Sequence, residues 1–245
     1  MNLALEQDFA PAQSYPLIDT PVLVEGMGLT GASSGNSAEP LFDLAEANQE
    51  CRDASPVDIL TKALKAAKNP IISTSFSAYS AVLLHMAQAI HPGITVVWCD
   101  TGFNTAATYR FVDQLLKRLD IRLKIYHPDV SAMHLQVRYN GVPEVGTLEH
   151  EHFANTVKLE PFARAFKELK PDLWINGMRR EETAFRKTQN IFTWDARRST
   201  TKVAPTFYST SSTLVDYLSE HQLPSELEYN DPTKPEEHLE CGLHY

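Results

Sequence analysis

The chain has 245 residues, 43% of them hydrophobic, which is enough apolar material for one sizeable core. Its formal net charge of −9 at pH 7 excludes a general nucleic-acid binder, which needs a basic face, so an anionic ligand must meet a local basic cluster. Three scattered cysteines, Cys51, Cys99 and Cys241, are too few for a disulfide framework, and no CxxC pair is present to hold zinc or an iron–sulfur cluster.

In chain order, MNLALEQDFAPAQ lacks the basic start and apolar core of a signal peptide, and no later run approaches the roughly 20 apolar residues of a membrane span. A cytoplasmic protein is expected. Residues 1–39 are polar and irregular, with Gly, Ser and Pro over 30–40, and read as a flexible arm. The stretch 41–52 is helical in pattern. Ser55-Pro56-Val57-Asp58 then supplies an N-cap, a proline at the first helical position and an acidic residue near the start of a second helix, with Ile59, Leu60, Ala63, Leu64 and Ala67 on its apolar face.

Short apolar runs and helix-period segments then alternate: PIIST (70–74), a helix over 79–90, ITVVWC (94–99), a helix over 105–120, and RLKIYH (122–127). This is a βαβαβ pattern. LWING (173–177) and VAPTF (203–207) add two strand candidates. The fold class is α/β, a doubly wound, mostly parallel sheet with helices on both faces, whose ligands sit beyond the C-terminal strand ends. The expected domain organisation is an arm (1–39), a nucleotide-binding domain (40–223) and a mobile C-terminal tail (224–245).

Four segments carry candidate chemistry. At the first strand end Ser73, Thr74, Ser75 and Ser77 can offer hydroxyls, backbone N–H groups and a helix N-terminus to an anion, or form an ordinary βα loop with serine capping. At the second, Asp100 leads into Thr101 and Gly102; such a carboxylate binds a ribose hydroxyl, orients its loop or caps a turn. Cys99 reads as a core thiol of that strand, and Cys51 lacks an activating neighbour. Between 179 and 202, Arg179, Arg180, Arg186, Lys187, Arg197, Arg198 and Lys202 make a positive island that suits a polyanionic small molecule or is a solvated loop. The tail EEHLECGLHY puts Cys241 beside Gly242 and His244, as an accessible nucleophilic thiol or an incidental one. His150-Glu151-His152 has neither helical ligand spacing nor a third ligand, and no metal is expected. The GxxxxGK[ST] and GxGxxG loops are absent.

Together these segments resemble the phosphoadenylyl sulfate (PAPS) reductase family, of the thioredoxin-dependent, iron–sulfur-free type. The resemblance is carried by STSF at 73–76 with Leu84-His85 after it, DTGF at 100–103 with TYRFVD at 108–113, KLEP at 158–161, WINGMRREE at 174–182 with Arg186 following, KVAP at 202–205 and ECGLH at 240–244. It covers roughly 41–223 and the last few residues, and implies an adenine nucleotide α-hydrolase-like (PP-loop-like) fold.

By that resemblance the substrate is 3′-phosphoadenylyl sulfate. Ser73, Thr74, Ser75 and Ser77 hold the phosphosulfate; Asp100, Thr101 and Gly102 seat the adenosine; Arg179, Arg180, Arg186 and Lys202 give a cationic ring, with His244 counted among the binding groups. Cys241 attacks the sulfur to give an S-sulfocysteine, and reduced thioredoxin or glutaredoxin frees sulfite. Related adenylyl sulfate reductases carry a Cys-Cys pair before KxEP and a later CxxC that hold a four-iron cluster; here Phe153 and Ala154 stand before Lys158, so no cofactor is expected. Family members are often homodimers. The connector QLPSELEYNDPTKPEEH is shorter than the family's, and Tyr208 stands where the family has tryptophan. A cluster-free adenylyl sulfate reductase is one alternative. A PP-loop ATP pyrophosphatase or nucleotidyltransferase would want an SGGxDS-like loop, which is absent, and a non-catalytic nucleotide-binding sensor is a third reading.

Overall fold

A computed structural model describes residues 39–234 of the chain. Most of the arm predicted over 1–39, together with Cys241 and His244, lies outside the described residues. The helices are α1 (Leu44–Glu50), α2 (Pro56–Ala66), α3 (Ser80–Ile90), α4 (Ala106–Leu116), α5 (Ala132–Tyr139), α6 (Leu148–Ala154), α7 (Glu160–Leu169) and α8 (Ser211–Glu220). The strands are β1 (Pro70–Ser73), β2 (Ile94–Cys99), β3 (Ile121–Tyr126), β4 (Leu173–Ile175), β5 (Phe192–Asp195) and β6 (Thr200–Val203).

Local chemistry sets the helix ends. Ser55 caps α2 by accepting from Asp58 N at 3.1 Å while its hydroxyl donates to the Asp58 carboxylate at 2.6 Å, a reciprocal capping pair. Thr105 caps α4 through Thr108 N at 3.2 Å. A π turn, Asn155–Leu159, joins α6 to α7, and α7 ends where Lys170 turns left-handed with φ 48°.

The six strands lie in the order β3-β2-β1-β4-β6-β5, parallel throughout except for β5. Buried residues pack on both faces. One face joins Ile72, Val96 and Ile175 to α2, α3, α4 and α8; the other packs Ile71, Val97 and Trp174 against Phe162, Ala165 and Phe166 of α7. Each buried phenylalanine there is worth about 1.5–3 kcal/mol. The chain runs outward from β1 to β3, then returns to lay β4 on the other side of β1. That reversal opens a crevice above the β1/β4 junction.

Three expectations need correction. The strand expected over 203–207 is β6, Thr200–Val203, after which residues 204–207 turn away. Its antiparallel partner β5, unmarked in the sequence pattern, closes a hairpin through Ser199 at φ 49°. The basic island read over 179–202 hid this hairpin, whose turn carries Arg197 and Arg198 and whose strand β6 is buried at all four positions. Finally, residues 224–234, assigned to a mobile tail, are seated on the domain: Glu226, Asp231 and Thr233 are buried. Among the described residues no helix is long and apolar enough to cross a membrane.

Candidate active site

A cavity of about 600 Å³ opens at the C-terminal ends of β1, β2 and β4, as expected for this fold class. Its first wall is the loop after β1. Thr74 N continues the ladder to Val97 O at 3.0 Å, and Thr74 Oγ1 then accepts from Phe76 N at 3.0 Å. Phe76 is left-handed, φ 54°, although it is an aromatic residue. Its fully buried ring holds it there, edge-on to Trp98 at 5.2 Å and to Phe111 at 6.4 Å. Ser73, Thr74, Ser75 and Ser77 all line the cavity. So does the start of α3, whose first turn has no side-chain cap and brings partial positive charge.

The loop after β2 is organised by Asp100. Its buried carboxylate accepts from Gly102 N at 3.0 Å, Asn104 Nδ2 at 2.8 Å and Tyr109 OH at 2.9 Å, so it holds its own loop rather than facing the cavity. Burial, followed by the bond to Asp100, pushes the Tyr109 phenol up to about 12. Gly102 has φ +78°, and a Cβ there would come within 2.9 Å of Ala132 Cβ. Thr101 and Asn104 line the cavity; Asp100 and Gly102 stand behind them.

The third wall carries charge that is already matched. Arg179 donates to Glu181 at 2.5 Å, to Glu182 at 3.0 Å and to Ser211 Oγ at 3.0 Å, and lies 4.7 Å over the Tyr79 ring. Arg186 pairs with the other Glu182 oxygen. The Ser211 hydroxyl, with Arg179, holds the Glu181 carboxyl below its usual range. Arg179 and Arg186 both line the cavity. Arg180 is exposed and outside it, its N–H bonded to Phe207 O at 2.8 Å. Lys202, on β6, is buried with its amine 5.4 Å from the Trp174 ring on the α7 side of the sheet, and burial lowers its pKa. The expected four-membered cationic ring is therefore only half assembled in the cavity.

Two buried lining residues fell within the motifs KLEP and WINGMRREE but were given no role there. Lys158, on the π turn, is buried and paired with Asp231. Burial works to raise the Asp231 carboxyl, but the Lys158 charge and the Thr233 hydrogen bonds outweigh it and lower the pKa. Asn176, just past β4, is also buried and lines the cavity. A polar residue directly after the apolar run LWI was the available signal. Tyr229, Asp231 and Lys234 cross the rim, so 224–234 forms a strap over the site, tied by Thr108 Oγ1 to Glu226 at 3.1 Å and Ser225 Oγ to Ala78 O at 2.9 Å.

A doubly wound sheet with an anion-ready loop at its switch point defines an α/β nucleotide-binding domain. A family model described as phosphoadenosine phosphosulfate reductase domain matches residues 69–230. A phosphoadenosine 5′-phosphosulfate reductase of Synechococcus is 33% identical over 186 residues, 75% of this chain and 79% of its own length. One from Escherichia coli is 37% identical over 153 residues, 62% of each chain. Among solved structures, a phosphoadenylyl-sulfate reductase from Candida auris in a phosphate complex superposes with TM-score 0.65 at 20% identity, covering 81% of this chain and 92% of that one. A Candida glabrata FMN adenylyltransferase shares the fold more distantly, with TM-score 0.51 at 11% identity over 81% of this chain and 62% of its own. The chain belongs to the phosphoadenosine phosphosulfate reductase family, whose members are oxidoreductases acting on a sulfur group.

Proposed function

We propose that this protein is a cytoplasmic reductase of 3′-phosphoadenylyl sulfate that draws its electrons from a dithiol of the thioredoxin or glutaredoxin class and takes part in sulfate assimilation. The observation that carries the reading is the cavity at the β1/β4 switch point, where the serine loop, the open α3 N-terminus and buried Lys158 face one space. In a member of this family that space suits the phosphosulfate of the substrate, with Thr101 and its Asp100–Gly102 loop beside the adenosine. Arg179 and Arg186 supply positive charge to the phosphates once Glu181 and Glu182 yield them; Arg180 and Lys202 add to the local potential from outside the wall.

The thiolate of Cys241 attacks the sulfur. An S–S bond forms, the S–O bond to the phosphate breaks, and adenosine 3′,5′-bisphosphate departs with the electron pair, leaving an S-sulfocysteine. A donor thiolate then attacks Cys241 Sγ, releasing sulfite, and the donor's second thiol resolves the mixed disulfide to regenerate Cys241. Cys241 follows Lys234 of the cavity rim by seven residues, a span of up to about 24 Å when extended, and His244 comes with it as a binding group.

The test is sulfite release by the purified protein with reduced thioredoxin, supplied with 3′-phosphoadenylyl sulfate and, in parallel, with adenylyl sulfate. Turnover of the phosphorylated compound alone is expected; no turnover of either overturns the proposal. The matched state of Arg179 and Arg186 favours a second reading, because it leaves less charge for a 3′-phosphate. Turnover of adenylyl sulfate alone would select that reading, a cluster-free adenylyl sulfate reductase.

A further inference from the structure

Asn176 is 3% exposed, and its backbone N–H completes the sheet to Val203 O at 3.0 Å. Its Oδ1 accepts from Met178 N at 3.0 Å, which fixes the amide's orientation, because only the oxygen can face an N–H donor. Nδ2 is then left with both hydrogens and no partner among the described residues, at an atom sealed from bulk solvent. An unmatched buried donor of this kind is destabilising unless something accepts from it. The residue lines the cavity while Nδ2 itself has almost no accessible surface, so a bound ligand supplies that acceptor by drawing the amide towards the cavity.

Its neighbour carries a second aligned donor. The β1–β4 register pairs Ile72 with Ile175, so Asn176 stands one step beyond, opposite Ser73. Trp174, two residues earlier and on the same face, donates its indole N–H to Ser73 Oγ at 2.7 Å. With that lone pair occupied, the Ser73 hydroxyl proton is directed to another acceptor. Two uncharged donor groups therefore stand opposite each other across the β1/β4 junction, a corner suited to an oxygen bearing lone pairs.

We propose that Asn176 is a specificity-determining residue: its Nδ2, with the Ser73 hydroxyl positioned by Trp174, forms a paired-donor seat for an oxygen of the nucleotide's anionic group. The inference rests on the nucleotide reading given above. It is tested by calorimetric titration of adenosine 3′,5′-bisphosphate into the wild-type protein, Asn176→Asp and Asn176→Ser at pH 8. Asp keeps the shape and the acceptor for Met178 N but turns a carboxylate oxygen towards the bound anion; Ser keeps a weaker version of that turn and removes the donor. The seat predicts that Asn176→Asp binds at least about tenfold more weakly than wild type, with a smaller loss in Asn176→Ser, each compared at a temperature where its thermal melt shows the variant folded. A purely structural role, in which only the bond to Met178 N matters, gives the reverse order, with Ser a worse binder than Asp, which keeps that acceptor. That order, or binding within twofold of wild type in both variants, overturns the proposal. Failure of the wild-type protein to bind the bisphosphate overturns the nucleotide reading itself, so the two failures are separable.

Discussion

The two sides of the cavity hold their polar groups in opposite ways. Along the β1 loop and the β4 end the donors are neutral, fixed by the sheet and by buried rings, and at Asn176 one is unmatched. Along the opposite rim the buried cations are already engaged: Arg179 and Arg186 by Glu181 and Glu182, Lys158 by Asp231. The neutral side is preorganised and needs no rearrangement when an anion arrives. The charged side must exchange a protein carboxylate for a ligand oxygen, so it contributes selectivity for highly charged ligands more than raw affinity.

The sharpest way to separate the chemistry from both walls is Cys241→Ser. Sulfite release should be abolished while bisphosphate affinity stays close to wild type, read by the coupled assay and by titration; equal loss of binding would make the tail part of the seat. Next in size is Asp231→Asn, which takes the Asp231 counter-charge from buried Lys158. Denaturant unfolding should show a loss of about 3–5 kcal/mol, and a loss below about 1 kcal/mol would mean that the pair is not dry.

The smallest effect tests the neutral side from behind, where His85 of α3 meets Tyr217 OH at 2.8 Å and the His221 ring at 4.8 Å. Burial, then the facing His221 and Arg118, lower the His85 pKa below its ordinary 6.5. The unfolded chain therefore binds the proton more readily. The contribution of this group to stability is present above 6.5 and is lost as pH falls through the folded-state pKa, which thermal unfolding across that range should show. His85→Gln should flatten that part of the profile.

Much of this architecture could be read from local pattern. PIIST, ITVVWC and RLKIYH became β1, β2 and β3 because buried parallel strands are short apolar runs, and the Ser55 cap sits where its spacing put it. The serine loop was visible because its residues are consecutive. Pairings across the chain left no such trace: Lys158 and Asp231 are 73 residues apart, and the segment between α5 and α7 carries no strand or helix period strong enough to name. The basic island misled for a related reason. Glu181 and Glu182 follow the arginines directly in sequence, but only the turn after β4 brings their carboxylates onto the guanidinium groups, while the β5–β6 hairpin carries Lys202 under α7.

The contact between Gly102 and Ala132 has a consequence for how such a cavity can drift. Position 102 is pinned twice, by its left-handed backbone and by the methyl group 2.9 Å from where a Cβ would be. The constraint runs in both directions: a bulkier side chain at 132, on a helix that does not line the cavity, pushes directly on the loop that carries Thr101 and Asn104. Sequence change on α5 is thus a remote lever on substrate fit, and the sizes of residues at 102 and 132 should covary wherever this loop is inherited.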